Sequence, residues 1–476
     1  MFDQLRRLAG HSAVYGLGRL VSPILAVVLL PLYTRYLTRA DYGRIETLIA
    51  AAAVLTIVLR AGISSAFFRF YFDAKDDRSR VRVVRTAFWF TMGSATAGLA
   101  VCLLAAGPIS DALGGVGASL VRGAAVGLWA QMNYEQLTSL FRVEQRPVSY
   151  VLASVANVLI TVGATVWLVV FAHKGPLGVV VGNFTGTLAV YLVLLGYRRY
   201  QLGLEFDRPL LRRMQGFGLP LVPSALALWA INFIDRLFLI HISGKSETGL
   251  YALGVRISSG VLFLMIAFQT AWPAFAYSIE DDDEAKRTYA FVLTYVLYLT
   301  CWLALALGLL SPWIVRVLAS SAAFYPASRV VAPLAFSIAA YAGYTVVAIG
   351  VGRARRTQFN WVVTGAAAAL NVVLNVALIP PYGMMGAAIA TVAAYTAMLV
   401  GMTWNAQRVF PVPYQWRRLL TVIAVATGLT ILGKAAHVGL VLAIVLSLAF
   451  PLALVPLGFY LPAERRRLRW LLPLFR

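Results

Sequence analysis

Arg19, Arg60, Arg69, Arg236 and Arg256 each stand inside a long apolar run of this chain, and so do two acids, Glu135 and Asp235. A lone charge at the centre of a membrane helix costs at least ~2.5 kcal/mol, so such residues pair, snorkel or line a polar path. An excess of arginine over carboxylate is the chemistry of anion binding, because the guanidinium fork matches phosphate in a bidentate way. Spacing sharpens the reading. Thr56, Arg60 and Ser64 recur at helical spacing, which predicts a polar stripe roughly 15 Å from the helix end near Phe70. Gln131, Glu135, Thr138 and Arg142 make one polar face of another helix, with Glu135 roughly 9 Å from its end. Asn232, Asp235 and Arg236 share a third face, where Asp235 can pair with Arg236 or with Arg256, as an outer gate or a structural ion pair. Gln269 adds an amide just before Trp272 and Pro273. Arg19, Arg60, Gln131, Glu135 and Gln269 are therefore the candidate lining of a cavity. Glu135 would be the counter-ion of Arg19 or Arg60, or the carrier of a coupling proton.

The elements that must position these groups are membrane helices. The 476 residues are 60% hydrophobic and 13% charged, against about 25% charged in a soluble domain. About fourteen segments reach the ~20 residues a span needs. They fall near 12–33, 45–70, 86–107, 118–141, 148–171, 177–197, 214–240, 250–277, 288–310, 325–351, 359–379, 384–404, 417–434 and 439–461. The fold class is an all-α polytopic membrane protein. With the N-terminus inside, lysine and arginine are roughly threefold commoner in the inner loops than in the outer ones. Both termini are thus expected in the cytoplasm, and the net charge of +22 needs no nucleic acid to explain it. Cys102 and Cys301 lie in apolar blocks and offer neither a disulfide framework nor metal-ligand spacing. The acidic run EDDDE, Glu280 to Glu284, reads as a solvated loop. Outer loops are short and poor in acids, and no P-loop, metal cluster or nucleophile motif appears, which argues against a membrane glycosyltransferase or polymerase.

An internal repeat organises the chain. RADYG (Arg39 to Gly43) and KSETG (Lys245 to Gly249) share the order basic, small, acidic, any, Gly. GPLGVVVG (Gly175 to Gly182) and GMMGAAIA (Gly383 to Ala390) share a second pattern at nearly the same offset. An even number of helices per repeat makes the copies parallel, which is a transporter architecture with its substrate between the repeats. The expected domains are a six-helix bundle over 1–200, a second over 201–410, and a helix pair with a basic cytoplasmic tail over 411–476.

The stretches YGLGRLVSPILAVVLLPLYTRYLTRADYGRIETL, GISSAFFRFYFD, FIDRLFLIHISGKSETGLYALGVRIS and LNVVLNVALIPPYGMMGAAIAT resemble the bacterial polysaccharide and O-antigen flippases of the Wzx-like branch. That branch belongs to the multidrug/oligosaccharidyl-lipid/polysaccharide exporter superfamily. The resemblance implies an inner-membrane flippase, not an enzyme, that moves an undecaprenyl-pyrophosphate-linked oligosaccharide for surface or exopolysaccharide assembly. It implies alternating access coupled to an H+ or Na+ gradient, with no bound cofactor. Expected partners are the lipid-linked oligosaccharide, membrane lipids, and a glycan polymerase or assembly complex. Two alternatives share the fold. A multidrug cation antiporter would need more buried carboxylates than Glu135 and Asp235. A lipid II flippase also carries the extra helix pair, which departs from the commoner twelve-helix form.

Overall fold

The structure, a computed structural model, describes residues 29–199, 201–462 and Glu464. Arg19 and most of the expected first span lie outside the described residues. In chain order the helices are α1 (Leu30–Tyr36), α2 (Arg39–Arg60), α3 (Ile63–Asp73), α4 (Asp77–Leu104), α5 (Ala106–Ala112), α6 (Ala118–Val143) and α7 (Pro147–Val166). Then follow α8 (Gly175–Arg198), α9 (Arg208–Gly218), α10 (Val222–Ile242), α11 (Lys245–Ser258), α12 (Gly260–Ser278) and α13 (Asp282–Leu318). The last are α14 (Ser328–Arg353), α15 (Asn360–Val409), α16 (Trp416–Ala435) and α17 (Leu440–Ala453).

Among the described residues, 9 helical spans are long and apolar enough to cross a membrane. The expected number was higher, and the differences have local causes. The span expected at 250–277 is divided at Ser259 into α11 and α12, and those at 359–379 and 384–404 form the single element α15, broken at Gly383 (φ 53°). The span expected at 45–70 is also two helices. Ala61 (φ 45°) and Gly62 (φ 74°) turn left-handed straight after Arg60, so Thr56, Arg60 and Ser64 do not share one continuous helix face.

The chain forms two compact units. The first runs up to Ala252 and includes Ala319–Phe324 and Ala368–Ala387; the second holds Leu253–Leu318, Tyr325–Ala367 and the chain from Ala388. In the first unit, Thr38 and Asp41 cap α2 reciprocally, with Asp41 N donating to Thr38 Oγ1 at 3.1 Å and Thr38 N to Asp41 Oδ2 at 3.2 Å. Asp76 caps α4, and its hydrogen bonds from Ser79 hold its carboxyl below the usual range. Ile63, Phe67, Phe88, Leu137, Tyr191 and Met214 bury the middle of the unit. At one rim Arg198 grips Glu144 with both terminal nitrogens, at 2.6 and 2.9 Å. Outward, Val148, Leu152, Val155 and Leu159 leave an apolar stripe on α7, which is the face a bilayer requires.

The repeat seen in the sequence is a physical contact inside this unit. A Cβ on Gly43 would lie 2.0 Å from the Lys245 carbonyl oxygen, and one on Gly249 would lie 2.0 Å from the Arg39 carbonyl oxygen. Exchanging the two motifs maps the contact onto itself, so RADYG and KSETG meet as symmetric partners. The second pair of motifs also matches in conformation. Gly175 (φ 54°) opens α8 and Gly383 (φ 53°) breaks α15, so both hold a positive φ. One acidic residue breaks the symmetry. Glu247 Oε1 accepts from Met384 N at 2.8 Å, capping the second half of α15. The corresponding residue after Gly175 is Pro176, which has no N–H, and Asp41 instead caps its own helix. Because carbonyl oxygens cannot retreat as a flexible side chain does, Gly249→Ala should destabilise the unit by ~1–3 kcal/mol. A fall in the melting temperature of the detergent-purified protein checks this.

In the second unit, α13 packs along α14 around Tyr289, Leu293, Leu297 and Val346. The acidic run at Glu280 to Glu284 is exposed, as a solvated segment should be, and it pins the start of α13. Asp281 caps α13 through Glu284 N at 2.6 Å, and Arg353 bonds Asp282 Oδ1, the Ile279 carbonyl and the Glu280 carbonyl. The final helix pair is tied in by Arg418, buried under Phe459, which bonds Gln415, Glu464 and Tyr295. Trp302 Nε1 donates to the Ser447 carbonyl at 2.7 Å and fixes α17 against α13.

Candidate substrate-binding site

Two charged clusters stand in the first unit, and the expected site residues divide between them. The first is centred on Arg60, the last residue of α2. Its position favours a cation, since the free carbonyls of a helix C-terminus carry partial negative charge. Arg60 Nη2 lies 2.6 Å from Glu135 Oε2 of α6. The approach is close but poorly aligned for a hydrogen bond, so the attraction is chiefly between charges. Glu135 Oε1 accepts a short hydrogen bond from the Gln131 side chain, one turn earlier on α6. From Gln131 the chain of polar contacts continues to Thr187 of α8 at 3.4 Å, to Asn157 of α7 at 3.3 Å and to Thr161 at 3.1 Å. Polar side chains of four helices therefore form a connected network inside an apolar unit.

The carboxylate end of that network opens onto a small cavity of about 40 Å³, lined by Arg60, Ser64, Phe67, Phe68, Glu135, Gln136, Ser139 and Arg142. Glu135 is 39% exposed and Arg60 is 19% exposed. Arg142, two turns from Glu135 on the same face of α6, lies over the Phe68 ring at 5.0 Å and the Tyr150 ring at 5.9 Å. Among the described residues Arg142 makes no ion pair, and its Nε is buried without an acceptor. Arg69 is exposed, stacks on Phe217 at 4.5 Å and pairs with Asp73 at 3.5 Å, as expected for an arginine reaching toward a helix end.

The second cluster is closed to solvent. Arg236 is 4% exposed and Asp235 2%. Arg236 Nη1 bonds Asp235 Oδ1 at 2.9 Å and the Asn232 carbonyl at 2.7 Å, while its Nε faces Glu46 at 3.7 Å. Tyr251 donates a short hydrogen bond to Asp235 Oδ2. Trp229 Nε1 donates to the Ala50 carbonyl at 2.9 Å and holds α10 against α2 beside the cluster. Asn232 itself lies at the surface of the unit, with its amide on the Leu228 carbonyl. The partner expected for Asp235 is thus Arg236. Arg256 and Gln269 lie in the second unit, on α11 and α12.

Sequence reasoning missed several members of these clusters. Glu46 stands at the start of the apolar run expected at 45–70 and drew no notice, yet it is buried one and a half turns or more into α2, which begins at Arg39. Tyr251 has only its position after KSETG to mark it. Asn157 and Thr187 are ordinary polar residues in apolar helices, and only their shared depth could have drawn notice.

Comparison with known proteins now gives the class. The fold is that of the transporters of the MOP superfamily. A structure of the lipid II flippase MurJ, in an inward closed conformation, superposes with a TM-score of 0.72 at 12% identity, covering 92% of this chain and 98% of that one. An inward-facing multidrug resistance MATE family transporter superposes with a TM-score of 0.66 at 16% identity, covering 82% and 94%. Residues 32–323 match the family described as polysaccharide biosynthesis protein, and the chain belongs to that family. A relative from Haemophilus influenzae, named as a protein of the Lsg locus, is 24% identical over 270 residues. The match takes in 54% of this chain and 62% of the length of that relative.

Proposed function

We propose that this protein is a flippase for an undecaprenyl-pyrophosphate-linked oligosaccharide, working by alternating access in the bacterial inner membrane with both termini in the cytoplasm. The observation that carries the reading is the partly exposed Arg60–Glu135 pair at the end of a four-helix polar network, in a member of a polysaccharide biosynthesis family. Such a carrier must bring a diphosphate and sugars past the hydrocarbon while its tail stays in lipid. Arg60 supplies a cation at the depth where the diphosphate passes, and Arg19 is a second candidate. Gln131 and the network beyond it hold Glu135 in place and offer hydroxyl and amide groups of the kind that bond sugars. Gln269 is a further candidate contact for the cargo. The buried Asp235–Arg236 pair serves as a clip between α10 and α2, and Asn232 and Arg256 are candidates for the outer gate. Coupling to an H+ or Na+ gradient and a partnership with a glycan polymerase belong to the same proposal.

A second reading, lipid II as the cargo, is favoured by the likeness to the lipid II flippase, which takes in nearly all of both chains. The two cargoes share the diphosphate and differ in the glycan. Lipid extracts from cells depleted of the protein separate them. An undecaprenyl-linked oligosaccharide should accumulate, and its sugar composition identifies the cargo. Accumulation of the peptidoglycan precursor alone would select lipid II, and no accumulation of either would refute the flippase reading.

A further inference from the structure

The cavity beside Arg60 is too small for what the proposed function asks of it, and its present occupant explains why. A volume of about 40 Å³ holds one or two waters and no phosphate. Yet its charges are those of an anion site. Two guanidinium groups, Arg60 and Arg142, line it with two serines, Ser64 and Ser139, and one carboxylate. The arginines come from different helices, α2 and α6. Arg142 has an Nε buried without an acceptor and makes no ion pair among the described residues. Its guanidinium lies over the rings of Phe68, at 5.0 Å, and Tyr150, at 5.9 Å, and so rests on aromatic faces and not on a carboxylate. On α6, Arg142 lies seven residues beyond Glu135, roughly 10 Å along the axis. That is a separation two long side chains can close around a diphosphate.

We propose that Arg60 and Arg142, with Ser64 and Ser139, form a two-arginine subsite for a diphosphate, and that Glu135 occupies it as an internal anion in the state seen here. Cargo then binds by exchange. The incoming diphosphate takes Arg60 from the Glu135 carboxylate and Arg142 from its unfilled state. The released Glu135 keeps its hydrogen bond from Gln131 and remains partly exposed to water. The exchange keeps Arg60 paired at every stage, with Glu135 when the carrier is empty and with the diphosphate when it is loaded. Arg142 is thereby a specificity residue, because it rewards the second phosphate of a diphosphate, whereas Arg60 alone would serve a monophosphate as well. The inference takes the chemistry of its ligand from the flippase reading.

The test uses the full-length protein purified in detergent, with farnesyl diphosphate and farnesyl monophosphate as probes in titration calorimetry. Wild type should bind the diphosphate more tightly than the monophosphate. Glu135→Gln removes the internal competitor and should tighten diphosphate binding by about tenfold. Arg142→Ala should weaken diphosphate binding by about tenfold and leave the monophosphate nearly unchanged, with Arg142→Lys between the two. If Arg142→Ala does not fold, the Arg142→Lys and Glu135→Gln results decide. Unchanged or weaker binding in Glu135→Gln, or equal losses for both probes in the Arg142 variants, would overturn the subsite. The flippase reading is scored separately, by glycan accumulation in depleted cells. Accumulation together with no diphosphate binding to the purified protein would overturn the subsite and leave the flippase standing.

Discussion

Arg60→Ala should reduce glycan export about 10- to 100-fold while the protein stays at its normal level in the membrane. The loss corresponds to one charge-assisted contact between guanidinium and phosphate, ~1.5–3 kcal/mol. The fold should survive because the residue left behind, Glu135, is 39% exposed and keeps its hydrogen bond from Gln131. Arg60→Lys should retain part of the activity, since a lysine keeps the charge and loses the fork. The double variant Arg60→Ala with Glu135→Gln separates two roles. If Arg60 serves the cargo, export stays low in the double variant. If Arg60 serves only to neutralise Glu135, removing both charges should restore export, and the anion-binding role would be lost.

The opposite pattern is expected at Arg236. This guanidinium is 4% exposed and holds Asp235 while facing Glu46. Arg236→Ala leaves two carboxylates buried beside each other, and breaking a buried pair from one side costs ~3–5 kcal/mol. The protein should be scarce in the membrane and aggregate on extraction, as read by fluorescence-detected size exclusion of a tagged protein. Arg236→Lys should rescue little, because one ammonium cannot bond Asp235 and the Asn232 carbonyl while also facing Glu46. Asp235→Asn should be milder, since the amide oxygen can keep the bond from Arg236 while the amide nitrogen donates to the Tyr251 hydroxyl. A normal level of Arg236→Ala protein with blocked export would instead make this cluster a moving gate.

The contrast between these clusters was only partly legible in the sequence. Charges inside apolar blocks announced both, and the shared face of Gln131, Glu135 and Arg142 survives in the structure as drawn. The RADYG and KSETG motifs were readable as a repeat because both glycines are needed at one backbone contact, which constrains both copies alike. The break after Arg60 was not readable. Ala61 has no business in a left-handed turn on its own propensity, and a single glycine after it looks like any glycine in a membrane helix. Packing supplies the reason, since Gly62 lies directly against the backbone of Gly218. The same holds for Glu46. A carboxylate near a helix start reads as a surface group, and only a partner nearly two hundred residues away makes it a core residue.

The most direct test of the central claim is the sidedness of the accumulated lipid. Spheroplasts from cells depleted of the protein, and from cells complemented with wild type or Arg60→Ala, would be treated with a glycan-modifying enzyme that cannot cross the membrane. The labelled undecaprenyl-linked glycan would then be extracted and its modified fraction counted. A shielded glycan is expected in depleted and Arg60→Ala cells and a modified one in cells with wild type. Equal modification in all of them would mean that the lipid reaches the outer leaflet without this protein, and that the protein is not its flippase.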